Sequence, residues 1–115
     1  MSPRRHRRVA AKGQAQALVF AALGDATRLA LVAKLSTGEP RSISQLTLGF
    51  RLTRQAITKH LRVLESAGIV RNAHAGRESL FEVDREPIVA AREYLAHVSQ
   101  QWDQALSRLK TFVEE

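Results

Sequence analysis

Apolar residues recur along this chain at two different periods. Ala15, Leu18, Val19, Ala22 and Leu23 follow i, i+3, i+4, i+7, i+8 spacing, which predicts a one-faced helix ended by Gly24. Asp25 is placed as the N-cap of a second helix, with Ala26, Leu29, Val32, Ala33 and Leu35 as its stripe. Glu39-Pro40 breaks the chain. Ser42 followed three residues later by Gln45 has the form of a capping box, opening a short third helix with Ile43 and Leu46 inward. Thr53 is the N-cap candidate of a fourth, where Ile57, Leu61 and Leu64 repeat in steps of four and three. Gly68 closes it in the left-handed region, with Ile69 able to pack back on the last turn.

The period then shifts to two. Residues 69–75 and 79–83 predict two short strands around the turn Gly76-Arg77, a hairpin too small to stand alone. From about Pro87 the helical period returns: Ile88, Ala91, Leu95, Val98, Trp102, Ala105, Leu109 and Phe112 form an a/d seam more than three heptads long. A small four-helix body cannot cover a seam of that length, so it is read as shared between two subunits rather than as an internal core helix. The expected class is mainly α with a small β-hairpin. Helices three and four form a helix-turn-helix and the hairpin is its wing, an arrangement that lays the second helix in the DNA major groove.

Charge sharpens that picture. The chain has 115 residues, a net charge of +7 and 44% apolar residues, enough for one compact core. The positive charge is segregated. Arg4, Arg5, Arg7, Arg8 and Lys12 crowd residues 1–12, expected as a basic flexible arm, ahead of a single domain over 13–115 with a C-terminal dimerisation helix at about 86–113. Arg41, Arg51, Arg54, Lys59 and Arg62 fall in 41–62 without one acid. The stretch from Asp84 to Glu115 carries four basic and six acidic residues, a local balance of −2. A clustered charge of this kind fits a polyanionic partner better than a solvated surface does.

On the fourth helix, at 100° per residue, Gln55, Lys59 and Arg62 lie opposite Ile57, Leu61 and Leu64, with Arg54 and Thr58 flanking. Arg and Lys match guanine edges, Gln matches adenine, and a Thr methyl matches thymine. Arg77 in the hairpin turn suits the backbone or a narrow minor groove, and Arg71 and His74 precede it on the strand.

Other classes fare worse. No cysteine is present, which removes disulfides, thiolate metal sites and thiol nucleophiles. There is no Gly-rich phosphate loop or paired-carboxylate spacing, so the chain is read as not an enzyme and as needing no cofactor. The longest uncharged stretch, Gly13 to Gly24, falls short of the ~20 residues a membrane span needs. The "ALVFAAL" run imitates a signal peptide, but Gln14 and Gln16 interrupt it and no small-residue cleavage site follows, so a cytoplasmic location without membrane partners is expected. Aromatics make up 5% and fall mostly in apolar patterns, which argues against RNA base stacking. A protein-interaction module that does not bind duplex DNA is the other reading.

Three blocks resemble one family. "ALGDATRLALVAKL" (Ala22 to Leu35) is similar to the second-helix signature of ArsR-type winged-helix repressors. "LTRQAITKHLRVLESAGIV" (Leu52 to Val70) is similar to their recognition helix, and "GRESLFEV" (Gly76 to Val83) to the returning wing strand. The resemblance implies a homodimeric transcriptional regulator, usually a repressor, that binds double-stranded DNA. Its recognition positions carry over onto Thr53, Arg54, Gln55, Thr58, Lys59, His60 and Arg62. It also implies a dimer interface built from the first and last helices, here Leu18 and Val19 with Leu95, Val98, Trp102 and Leu109. Where many members carry a metal-sensing Cys pair, this chain has Ser44-Gln45-Leu46-Thr47. Glu93 and His97, one turn apart, offer half a zinc site at best, since tetrahedral zinc wants about four ligands. The expectation is therefore the branch without metal, with its effector unassigned; a metal-responsive repressor with a His/Glu interface site is the alternative.

Overall fold

The computed structural model describes residues 3–114, leaving aside the side chains of residues 3–12, 74 and 75. The order is α1 (Pro3–Leu23), α2 (Ala26–Ser36), β1 (Arg41–Ser42), α3 (Ile43–Thr47), α4 (Arg54–Ser66), β2 (Val70–Ala75), β3 (Glu78–Val83) and α5 (Arg85–Glu114). The strands form one antiparallel sheet in the order β1-β3-β2, with Arg41 opposite Phe81 and Val70 opposite Val83.

Local chemistry places most of the boundaries. The Asp25 carboxylate accepts from the Arg28 N–H at 3.0 Å and starts α2. Ser42 and Gln45 close a reciprocal capping box on α3, at 3.2 and 2.9 Å. Thr53 Oγ1 accepts from the Ala56 N–H at 3.1 Å and starts α4. At the far end of α4, Gly68 takes φ +78°. Its N–H bonds the Glu65 carbonyl, while the Ile69 N–H bonds that of Leu64. That pair of bonds is a Schellman motif, and it turns the chain into the sheet. Gly76 has positive φ and Arg77 does not, the backbone pattern of a type II′ hairpin turn.

Three differences from the sequence expectations have local causes. Helix α1 begins at Pro3, so the backbone of the basic segment expected as a flexible arm is continuous with it. Ala, Arg and Lys are good helix formers, and Pro suits a first turn. Helix α5 starts at Arg85, two residues before Pro87, with Asp84 Oδ1 accepting from the Glu86 N–H at 3.1 Å. Strand β1 has only two residues, too few to show a period of two.

The core lies between α2, α3, α4 and the sheet. Leu31, Leu46, Ile57, Leu61, Leu64, Ile69 and Val70 are fully buried there. α5 is different: of its 30 residues only Ala91 is buried among those described. The radius of gyration is 18.9 Å, against about 13 Å for a compact domain of this length. The excess reflects long helices projecting from a small body, and the chain as a whole spans 66 × 36 × 22 Å.

Candidate nucleic-acid interface

Helix α4 is anchored by its buried face. Ile57, Leu61 and Leu64 are at 0% exposure, so Arg54, Gln55, Lys59 and Arg62 are turned to solvent. Thr53 is exposed but its hydroxyl already serves the cap. Thr58 is half-buried, and its hydroxyl donates to the Arg54 carbonyl at 2.7 Å. Arg54, Gln55, Thr58 and Lys59 line one shallow hollow of about 440 Å³ together with Ile43 at the start of α3. Four of the expected recognition residues thus share one surface. Ile43 is the addition, an apolar wall that sequence spacing assigned to the core.

The turn ahead of α4 is fixed by Lys34. Its ammonium donates to the Leu48 carbonyl and sits 4.9 Å from the Phe50 ring centroid. That cation is consequently spent on positioning α4 rather than on the exposed ridge.

Other expected residues are placed differently. His60 is half-buried and turned to the α1–α2 junction, with Nδ1 3.3 Å from an Arg28 guanidinium nitrogen and 3.8 Å from Asp25 Oδ2. It is not part of the α4 ridge. Arg62 is exposed but paired to Glu65 at 3.3 Å, so the ridge acquires an acid at its C-terminal end. Arg77 is exposed at the wing tip. Arg71 faces Glu82 across the β2–β3 register, Nε to Oε1 at 2.6 Å, and this hydrogen bond raises its pKa above the ordinary arginine value. The side chain of His74 lies outside the described residues.

The Asp25–Arg28–His60 junction joins three helices. Arg28 Nε donates to the Ala22 carbonyl at 2.6 Å and a terminal nitrogen to that of Ala21 at 3.4 Å, closing the end of α1. The Arg28 backbone N–H, before any charge effect, holds the Asp25 carboxyl below its usual range; the Arg28 and His60 charges act in the same direction.

Leu18, Leu95, Trp102 and Leu109 are each more than half exposed in the protomer, and Val98 is half-buried. Tyr94, Leu106 and Val113 extend the same exposed stripe, at helical angles adjacent to the a/d seam. The stripe rests on the body through Phe20 and Tyr94, whose ring centroids are 6.2 Å apart. Val19 does not belong to it. At 4% exposure it packs into the protomer's own core, because α1 must bury one apolar edge against its own chain. Glu93 and His97 are both exposed, and His97 Nε2 lies 3.3 Å from the Gln101 side chain. Among the described residues, no group of three or more His, Asp or Glu side chains could hold a metal ion.

A helix-turn-helix domain model matches residues 23–72, the segment from the end of α1 into the wing. The chain is 37% identical over 76 residues to the uncharacterized HTH-type transcriptional regulator YuzN of Bacillus subtilis, covering 61% of this chain and 83% of that protein. A solved ArsR-like transcriptional regulator from Rhodococcus sp. RHA1 superposes with a TM-score of 0.78 at 31% identity, covering 86% of this chain and 92% of the other. The chain belongs to the ArsR family of winged helix-turn-helix transcriptional regulators. The fold is also that of a homodimeric winged helix-turn-helix domain from Mycobacterium bovis, with a TM-score of 0.66 at 24% identity over 94% of this chain and 93% of the other. This ArsR-family chain lacks cysteine, in keeping with the branch that does not use thiolate metal sites. No described helix is long and apolar enough to cross a membrane.

Proposed function

We propose that this regulator is a homodimer that binds double-stranded DNA at a pseudo-palindromic operator and represses transcription by occluding RNA polymerase. The observation that carries the reading is the solvent-facing set Arg54, Gln55, Thr58 and Lys59 on one side of α4, opposite three fully buried anchors. A 13-residue helix is about 20 Å long, which suits the major groove. In that groove Gln55 and Arg54 read base edges. Lys59 and Arg77 neutralise phosphates, and Arg62 does so when released from Glu65. Thr53 contributes its exposed position at the helix start, and Thr58 its methyl, since its hydroxyl is held by the helix.

The dimer is supported by the exposed stripe of Leu95, Trp102, Leu109 and Phe112, at 53%, 65%, 58% and 77% exposure in one chain. A soluble protein rarely leaves such a continuous apolar strip uncovered. Leu18 of α1 adds to it. The M. bovis relative is described as homodimeric, and the same assembly is assigned here. Two-fold pairing presents two α4 helices to half-sites about 10 bp apart, or a multiple of that. The regulator has no catalytic role in this reading and acts in the cytoplasm, where its DNA is.

The test is binding to duplex DNA across a salt series with fragments selected from a random pool. A log–log slope near −0.9 per neutralised phosphate, and a preference for one symmetric sequence, are expected. No duplex binding at low salt would refute the reading in favour of a protein-interaction module.

A further inference from the structure

Gln16 is a polar residue inside an apolar setting. It is 9% exposed, and its Oε1 has no hydrogen-bond partner among the described residues. Buried oxygens are almost always paired, so an orphan marks a place where a donor is missing. Gln16 stands in the wall of a groove of about 340 Å³ where three helices meet. α1 gives Val19 and Leu18, the latter at the edge of the stripe proposed to face the partner, the end and C-cap of α4 give Ser66 and Ala67, and the first two turns of α5 give Pro87 and Ala90. On the other side of Leu18 a second hollow of about 400 Å³ shares Leu18, Ser66 and Ala67.

We infer that this groove is a binding site for a small, largely apolar organic molecule bearing one N–H or O–H donor for the Gln16 carboxamide oxygen. The volume is that of a small-ligand pocket, and its lining, apolar apart from Gln16, Ser66 and Glu86, is typical of such pockets. Glu86 on the wall disfavours an anion, so the molecule is neutral or cationic. The lining includes Ala67, the C-cap of α4, one residue before the Schellman glycine. A molecule wedged there bears on the end of the recognition helix and on both long helices at once. Its occupancy is therefore coupled to duplex affinity, a consequence that rests on the DNA-binding reading above. By linkage the coupling is reciprocal: DNA changes the molecule's affinity by the same factor as the molecule changes DNA affinity.

The experiment follows the Gln16 side-chain amide and the Ser66, Ala67 and Ala90 backbone amides of ¹⁵N-labelled full-length protein by NMR. Indole, phenol and benzamide are titrated to millimolar concentration. Saturable shifts at these positions are expected with at least one probe. Gln16→Leu, which keeps the size but loses the acceptor, should weaken that probe roughly tenfold, the larger end of what one hydrogen bond contributes. Ala90→Leu, which leaves the acceptor and fills the space, should abolish the shifts. No saturable shift with any of the three, or equal affinity in Gln16→Leu, overturns the site. So does a mixed-label dimer in which partner protons give contacts to the Gln16 side chain, since a second copy then fills the groove. Duplex affinity is measured with and without the saturating probe. Shifts without any duplex binding would remove the DNA reading and keep the site, whereas duplex binding that ignores a saturating probe would overturn the coupling.

Discussion

At the residue scale, the proposed function divides the α4 ridge into groups with different work. Gln55→Ala or Arg54→Ala should narrow the gap in affinity between a selected operator and its scrambled form, by about 1–3 kcal/mol for each base edge that is no longer read. Lys59→Ala or Arg77→Ala should weaken both duplexes alike and reduce the salt slope by about one. Anisotropy titrations on matched and scrambled duplexes separate the two patterns, and identical behaviour of all four variants would contradict the division. Capping residues are legible from the chain because their partners lie three residues away: Asp25, Ser42 and Thr53 each accept from the N–H three positions on. The partners of Arg71 and His60 are not. Glu82 is eleven residues from Arg71, and Arg28 is thirty-two from His60; sequence spacing carries no information about such meetings. Glu65 is a nearer case, three residues from Arg62, and a charge count that stops at residue 62 hides it. Asp25 also sets a pH dependence. Its pKa is lowered in the folded state, so its contribution is complete above the unfolded value near 3.8 and is lost as pH falls through the folded value. Asp25→Asn keeps a competent cap without the titration. Urea midpoints between pH 2 and 6 should therefore fall less steeply on the acid side for this variant than for the parent.

At the scale of elements, the handover from α4 to the sheet depends on backbone conformation more than on packing. Gly68 at φ +78° has only Pro87 Cγ near a built Cβ, at 3.7 Å, an ordinary contact. Gly68→Ala should thus cost about 1–2 kcal/mol from the left-handed backbone alone, with no steric supplement. Denaturant melts would check this; a neutral substitution would mean the helix can end another way. Leu61→Ala, at the centre of the same helix and fully buried, should cost about 2–5 kcal/mol. Helix and wing are readable because each has a strong period. β1 is not, since two residues cannot alternate and Ser42 already signals a helix start. Pro87 draws attention as a helix opener, yet Asp84 has prior claim on the first turn through its own side chain. Charge alone predicts a flexible arm, while the helix propensity of Arg, Lys and Ala in the same residues points the other way.

At the scale of the molecule, one chain leaves unfinished business along α5. The long seam is visible in the sequence, but which of its members belong to the protomer is not: Ala91 is consumed by the body, whereas Trp102 and Phe112 are left outside it. The same ambiguity misplaces Val19. Trp102→Asp puts a charge into the stripe proposed to be shared and should shift sedimentation from dimer towards monomer at micromolar concentration. An unchanged dimer would place the interface elsewhere. Operator affinity in that variant should fall together with dimerisation, because each half-site alone holds only one reading helix.

Arg28 gives each protomer a mechanical property. One guanidinium ties off the end of the long first helix, lies beside His60 of α4, and belongs to the helix between them. In the dimer proposed above, that rivet would fix each α4 to its own α1, so that the two reading heads move with the interface helices like the jaws of a caliper. Inserting a single base pair between half-sites rotates one of them by about 35° out of alignment. A rigid gauge of this kind should tolerate a poor letter within a half-site better than it tolerates a change in their spacing.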